Sequence, residues 1–530
     1  MKKALERYGA LLLVLILVSG VCLLFSLRKS GMFIDEIYTY GLSNSHYAPY
    51  VTNIGGGDSF ADTALTRQDL LSYLAVDDGE GFDFGSVVYN QAADVHPPLY
   101  YWLFNIASSL TPNVFSKWTG LALDYLIYMA CLALLYALVR TLGGSRLNAA
   151  AAAGLYGLST MGLSTMLMIR MYVLMTAFTV LLALLTAKLM QNRRRRYYPL
   201  IGLTIFLGLM TQYYFVFYAF FLCAAYVIWA LGKREYKSLG LFALFAFAGV
   251  GCLLLAFPAC LDQLFADKLV SGGNALDNLR DSSQYAFRLL TYFGELRHGL
   301  KAAILVALAC LAALLLSVKK LRAAARAGRL RLVPWLVILL PTLPTFVLAS
   351  LLSPVLDQRY VYNLAPILVT AVSLLLYLLE ESWRDSPRAP YGRAAVFVVL
   401  LSFALNAARW APPQYLYPEY PEYNALVEAH EDAPCVYLTD NYFPPVTQDL
   451  IQLLYFDDVF FTGDPDSPAL DRYLEARDAD ECVVYVDISV FWSSGFDPEV
   501  MLPAMIESTD YTDGSLLYAN GLSETWLLTK

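Results

Sequence analysis

The sequence predicts a mainly α, polytopic membrane protein that carries a C-terminal α/β domain. Three observations lead there. Hydrophobic residues fill 58% of the 530 positions and charged residues only 15%, with a mean hydropathy of +0.51, whereas soluble domains run near about 25% charged. Apolar runs long enough to cross a bilayer recur through the first 410 positions. Charge is also divided along the chain: Ala411 to Lys530 holds 23 acids and 3 Lys/Arg, so the formal net charge of −8 conceals a strongly acidic tail behind a basic region. That split argues against a nucleic-acid partner and for an exposed terminal domain.

Lys2, Lys3 and Arg7 precede the apolar run Tyr8 to Leu27. The run is longer than a signal-peptide core, and Ser30-Gly31 makes a poor cleavage site. It reads as an uncleaved first span with a cytoplasmic N-terminus. Further spans are expected at 117–139, 147–167, 171–190, 198–213, 214–231, 239–261, 300–318, 332–353, 361–380 and 393–410, eleven in all. Alternation from a cytoplasmic start places Arg140/Arg146, Arg193 to Arg196, Lys233 to Lys237, the basic loop 319–331 and Arg384 to Arg393 inside, as the positive-inside rule requires. An odd span count puts the acidic tail outside.

The first outer loop has a Gly-rich turn, Gly55-Gly56-Gly57-Asp58, and an acidic stretch, Asp77 to Asp83. The spacing of those acids fits no EF-hand loop, and no metal or cofactor is expected. Pro97 to Leu110 is too short to span and reads as an interfacial helix. A second outer loop, 262–299, has the composition of a lid. The tail alternates strand-like runs at 435–438, 459–461, 482–486, 516–518 and 525–528 with helical patterns near 420–431, 446–456, 467–477 and 498–508, which indicates a small α/β domain. Its cysteines, Cys435 and Cys482, read either as strand residues or as a disulfide. The domains are therefore expected at 1–410, including the loop 28–116, and 411–530.

With this topology, polar signals gather on the outer side: Asp35-Glu36 after the first span, Asp94 and His96 before Tyr100-Tyr101, Arg170 and Tyr172 at the next outer turn, Gln212-Tyr213, and Arg359-Tyr360. Asp124 falls in the outer third of the second span. Ionisable groups at membrane depth are costly, so they are functional candidates. A carboxylate there can take a proton from an attacking hydroxyl, cations can hold a departing phosphate, and aromatic faces suit sugars and prenyl chains. Each has a plain structural reading as well: Asp35-Glu36 as a solvated flank, the arginines as snorkelling side chains, His96 as a turn residue, Asp124 as a structural hydrogen-bond partner.

The ordered set Asp35-Glu36, Asp94-Val95-His96-Pro97-Pro98-Leu99-Tyr100-Tyr101, Ile169-Arg170-Met171-Tyr172, Thr211-Gln212-Tyr213-Tyr214 and Arg359-Tyr360 resembles the GT-C membrane glycosyltransferases, in the branch of protein O-mannosyltransferases and aminoarabinose transferases. The resemblance covers about residues 1–410 and leaves the tail outside. It implies a many-span fold, an extracytoplasmic active site, a polyprenyl-phosphate-linked sugar donor and an extracytoplasmic glycan, lipid or protein acceptor. It also implies that Asp35 serves as base, with Glu36 beside it. Electrostatics assigns the carrier phosphate to Arg170 and Arg359, with His96, Tyr172 and Tyr360, and leaves Asp94, Tyr100, Tyr101, Asp124, Gln212 and Tyr213 for substrate. Bacterial relatives often carry His where this chain has Gln212, which removes proton transfer there and keeps hydrogen bonding. A transporter or flippase of lipid-linked glycans, or a non-catalytic envelope assembly protein, remains the alternative.

Overall fold

The computed structural model describes residues 2–57, 59–265, 277–440, 443–489 and 496–530. These fall into two compact units. The first comprises residues 1–27, 95–100 and 121–414; the second comprises 28–94, 101–120 and 415–530. The expected boundary at 410 is therefore incomplete, because most of the first loop folds with the tail.

The first unit is helical. Eight helices among the described residues are long and apolar enough to cross a membrane: Tyr8–Arg28, Lys117–Leu142, Tyr172–Asn192, Phe215–Gly232, Tyr236–Ala256, Val333–Leu352, Gln358–Ser382 and Ala389–Trp410. The chain is a multi-pass membrane protein. The remaining three expected spans take other forms. The stretch 147–167 is two helices, Arg146–Gly157 and Thr160–Leu167. Ser159 causes the restart, accepting the Gly162 N–H at 3.0 Å in an N-cap. A Cβ on Gly162 would lie 2.3 Å from the Tyr156 carbonyl oxygen, so only glycine permits the fold-back. The stretch 198–213 is a 13-residue helix, Tyr197–Leu209. Lys301–Leu316 joins Ser282–Gly299 across an 83° bend, and this pair would count as a ninth span.

Helices Tyr197–Leu209 and Tyr236–Ala256 approach through glycines. A Cβ on Gly202 would meet the Phe245 carbonyl oxygen at 2.4 Å, and one on Gly249 the Gly202 carbonyl oxygen at 2.4 Å. Small residues at such crossings let backbones pack where lipid offers no hydrophobic drive. Helix Tyr172–Asn192 is apolar all round and is the most enclosed, with 83% of its apolar window buried.

The second unit is built on a six-stranded sheet in the order β1-β3-β2-β4-β6-β5. The strands are β1 (Thr63–Thr66), β2 (Cys435–Leu438), β3 (Asp458–Thr462), β4 (Glu481–Asp487), β5 (Asp513–Ala519) and β6 (Ser523–Thr529). Strands β3, β2 and β4 are parallel, and helices Phe443–Leu453 and Pro468–Glu475 carry the crossovers. Strand β1 comes from the first loop and pairs antiparallel with β3, Thr63 opposite Phe461. Central strands are apolar on both faces, as parallel sheets require. One face packs Val436, Leu438, Val484 and Val486 against Leu470, Leu502 and Met505. The other stacks Phe60 on Phe461, Phe461 on Tyr437 and Tyr437 on Tyr485.

Cys435 and Cys482 are both free and buried. Cys435 lies opposite Val483, so Cys482, one position earlier on β4, points to the opposite face of the sheet. The disulfide alternative is thereby removed. In the first loop, the Gly-rich stretch forms a 3-10 helix, Val51–Gly56, rather than a turn, and Asp58 lies outside the described residues. Within the expected stretch Pro97 to Leu110 the chain forms a helix, Leu99–Ser108, ten residues long. Of the expected lid, residues 266–276 lie outside the described residues, and the rest contributes the helical pair starting at Ser282.

Candidate functional site

The candidate residues divide between the two units, and each set is built differently.

In the second unit, Asp35 and Glu36 open helix Ile34–Asn44, where acids suit the helix N-terminus. Their burial differs. Glu36 is wholly buried and pairs with Lys29 at 2.9 Å, also fully buried. Its Oε2 also accepts the Phe33 N–H at 2.7 Å, closing the helix start. Lys29 Nζ donates in addition to the Tyr415 carbonyl at 2.8 Å. Asp35 is only half-buried. The helix is fixed along its length: Tyr40 donates to the Ser116 carbonyl at 2.7 Å, Asn105 to that of Ser43 at 2.8 Å, and Asn44 to that of Leu74 at 2.7 Å. Gly41 lies against Tyr73, where a Cβ would come within 2.1 Å of the ring.

Asp94 ends helix Phe84–Ala93, its N–H donating to Asn90. Burial first, and then the Asp94 charge, pushes the Tyr50 hydroxyl above the ordinary tyrosine range. Tyr101 is fully buried.

In the first unit, Tyr100 donates to Asp124 Oδ1 at 2.8 Å, and both are fully buried. His96 is half-buried, just before Pro97-Pro98 and the start of helix Leu99–Ser108. Arg170 sits between helices Thr160–Leu167 and Tyr172–Asn192, with 3% of its surface exposed. Arg359 lies in the 3-10 turn Gln358–Leu364. Its guanidinium stands 6.0 Å from the Tyr172 ring centre and 5.4 Å from that of Tyr360, within cation–π range. Asp357 accepts the Arg359 N–H at 2.9 Å and its other carboxylate oxygen is 3.8 Å from Arg359 Nε. Tyr214 extends this group, its ring 4.8 Å from Tyr360. Gln212 is buried, and its Oε1 lies 3.4 Å from the Tyr214 N–H. Tyr213 donates instead to Gln263.

The structure thus joins Tyr172, Arg359 and Tyr360, and separately Tyr100 with Asp124. Several positioning residues went unread in the sequence. Lys29 is seven positions before its partner on an extended segment, so no helical spacing signals the pair. Arg288 donates to the Ser350 carbonyl at 3.0 Å and to Ser353 Oγ at 2.7 Å, holding the segment that leads to Asp357. Tyr214 belongs to a quoted motif and has no assigned role there, yet its ring packs on that of Tyr360. Chemically, a buried guanidinium between aromatic rings suits a phosphate on an apolar carrier, and a half-buried carboxylate on a rigid helix suits proton transfer.

The fold is the GT-C fold, that of a class of membrane glycosyltransferases. It is similar to apo ArnT from Cupriavidus metallidurans, with 11% identity over 98% of each chain and a TM-score of 0.50. It is likewise similar to the apo oligosaccharyltransferase of Archaeoglobus fulgidus, at 13% identity over 97% of this chain and 74% of that one, TM-score 0.50. Residues 95–260 match the family described as dolichyl-phosphate-mannose-protein mannosyltransferase. No curated protein matches the chain in sequence.

Proposed function

We propose that the chain is an integral membrane glycosyltransferase that moves a sugar from a polyprenyl-phosphate-linked donor to an extracytoplasmic acceptor: a glycan, a lipid or a protein. The observation that carries this reading is a half-buried carboxylate, Asp35, on a helix anchored along its length in a chain of GT-C fold. Glu36 is consumed in a buried ion pair, while Asp35 keeps partial exposure on the same anchored helix turn. The family matched at residues 95–260 is named for a dolichyl-phosphate-linked mannose, which supports the class of donor.

In this reading Asp35 takes the proton of the acceptor hydroxyl as its oxygen attacks the anomeric carbon, and the carrier phosphate leaves with the bonding electrons. Arg170 and Arg359 stabilise that phosphate, and Tyr172 and Tyr360 fix Arg359. His96, Tyr100, Tyr101, Asp94, Asp124, Gln212 and Tyr213 shape substrate binding. Glu36 positions Asp35. The N-terminus is cytoplasmic and the sheet-bearing unit extracytoplasmic.

The test uses the full chain in lipid nanodiscs with polyprenyl-phosphate sugars. Asp35→Asn should slow transfer by about 10²-fold or more while leaving fold and carrier binding intact. Undiminished transfer by that variant removes the base assignment. Retained carrier binding with no transfer by the wild type, for any donor sugar, favours a carrier of lipid-linked glycans. Mass spectrometry of envelope glycans with and without the active protein identifies sugar and acceptor together.

A further inference from the structure

Away from the candidate residues, the first unit holds an apolar groove of about 370 Å³ between helices Arg146–Gly157, Gln358–Ser382 and Ala389–Trp410. Its size falls in the range of small-molecule sites. Three features define an occupant. The wall is aliphatic and aromatic, with Leu147, Leu376, Phe397 and Leu400. Its charged residues gather at one end: Arg388, Arg393 and Glu380. Trp383 is at that end too, with the Lys320 ammonium resting on its ring.

The net charge of the rim is positive. Glu380 accepts hydrogen bonds from Ser145 N–H at 3.2 Å and from Ser145 Oγ, and Arg393 lies close enough to act on it electrostatically. Arg388 is exposed. Depth matters as well. From Arg388 to Leu400 the helix rises about 18 Å at 1.5 Å per residue, which is close to one leaflet of a hydrocarbon core about 30 Å thick. Tryptophan and basic side chains at one end mark headgroup level.

We infer that this groove is a binding site for an anionic glycerophospholipid. One acyl chain lies along Phe397 and Leu400, and the phosphate sits at Arg388 and Arg393. The loop charges put this end in the cytoplasmic leaflet, opposite the side proposed for transfer. The inference is independent of Asp35 and of the reaction.

The experiment takes the full-length protein in nanodiscs of mixed phosphatidylglycerol and phosphatidylcholine, and measures retained lipid by native mass spectrometry. Wild type should retain phosphatidylglycerol above its bulk share, and Arg388→Gln with Arg393→Gln should lower that preference by about fivefold per arginine. Gly392→Phe serves as the second variant, because Gly392 lines the groove and a Cβ there meets no atom within 4 Å. It should displace the lipid with both arginines and the thermal midpoint unchanged. Retention at the bulk ratio by wild type, or a preference that survives both variants, overturns the site. Displacement of phosphatidylglycerol by equimolar polyprenyl phosphate overturns the assignment to a glycerophospholipid.

Discussion

Asp35 and Glu36 share a helix turn yet face opposite demands, and substitution should separate them. Removing one member of a fully buried ion pair strands the other charge, so Lys29→Met or Glu36→Leu should each cost about 3–5 kcal/mol. The double variant Lys29→Met/Glu36→Leu should regain much of this, since an apolar pair of similar volume avoids desolvation altogether. Thermal midpoints of the three proteins in detergent check it: a double variant worse than either single one refutes the account. A second residue, Asp449, is fully buried beneath Tyr437, which donates to it at 2.8 Å. Burial raises its carboxyl from 3.8 to about 6, against the lowering effect of its donors. The folded state therefore holds a proton that the unfolded chain releases. Its stabilising contribution is full below about pH 4 and lost as pH rises through about 6. Relative to wild type, Asp449→Asn should flatten that fall by roughly 3 kcal/mol at most, since one pKa unit is about 1.4 kcal/mol. Denaturation of the sheet unit followed from pH 4 to 7 reads the difference.

At the scale of elements, the contact between helices Tyr197–Leu209 and Tyr236–Ala256 is backbone on backbone, through Gly202 and Gly249. No side chain there can rotate away, so Gly202→Leu should force the helices apart and lower the thermal midpoint sharply. Gly251 is in the second helix with open space at its Cβ position, and Gly251→Leu should be neutral. The same midpoint measurement compares them. The elements were largely legible in the sequence, because hydrophobic period and length are local properties. Tail strands at 435–438 and 482–486 and helix 498–508 fall close to where the pattern put them. What escaped was non-local or hidden inside long uncharged sequence. The break at Ser159 lies within a stretch of apolar and small residues that carries no charge, and its cap and the crowding at Gly162 reveal it. The partnership of Lys29 with Glu36, and of Arg359 with Tyr172, depends on chain folding that no spacing encodes.

At the scale of the molecule, basic loops and the acidic tail should occupy opposite sides of the membrane. A membrane-impermeant amine reagent on intact cells should modify a lysine tag placed after Lys530, and should reach Lys319 and Lys320 only after permeabilisation. Labelling of both without permeabilisation would reverse or void the orientation. The pairing of β1 with β3 carries a further consequence, one of timing. Thr63 and its partner Phe461 are about 400 positions apart, and ribosomes add about 5–20 residues per second. For roughly 20 to 80 seconds, then, the emerged segment has no complementary strand in existence, while every intervening span is still being inserted. Strand edges left open in that interval are templates for wrong pairing. Expression of this protein should depend on how quickly synthesis runs from one half of the sheet to the other, and slowing translation between the two should raise the aggregated fraction even though no residue has changed.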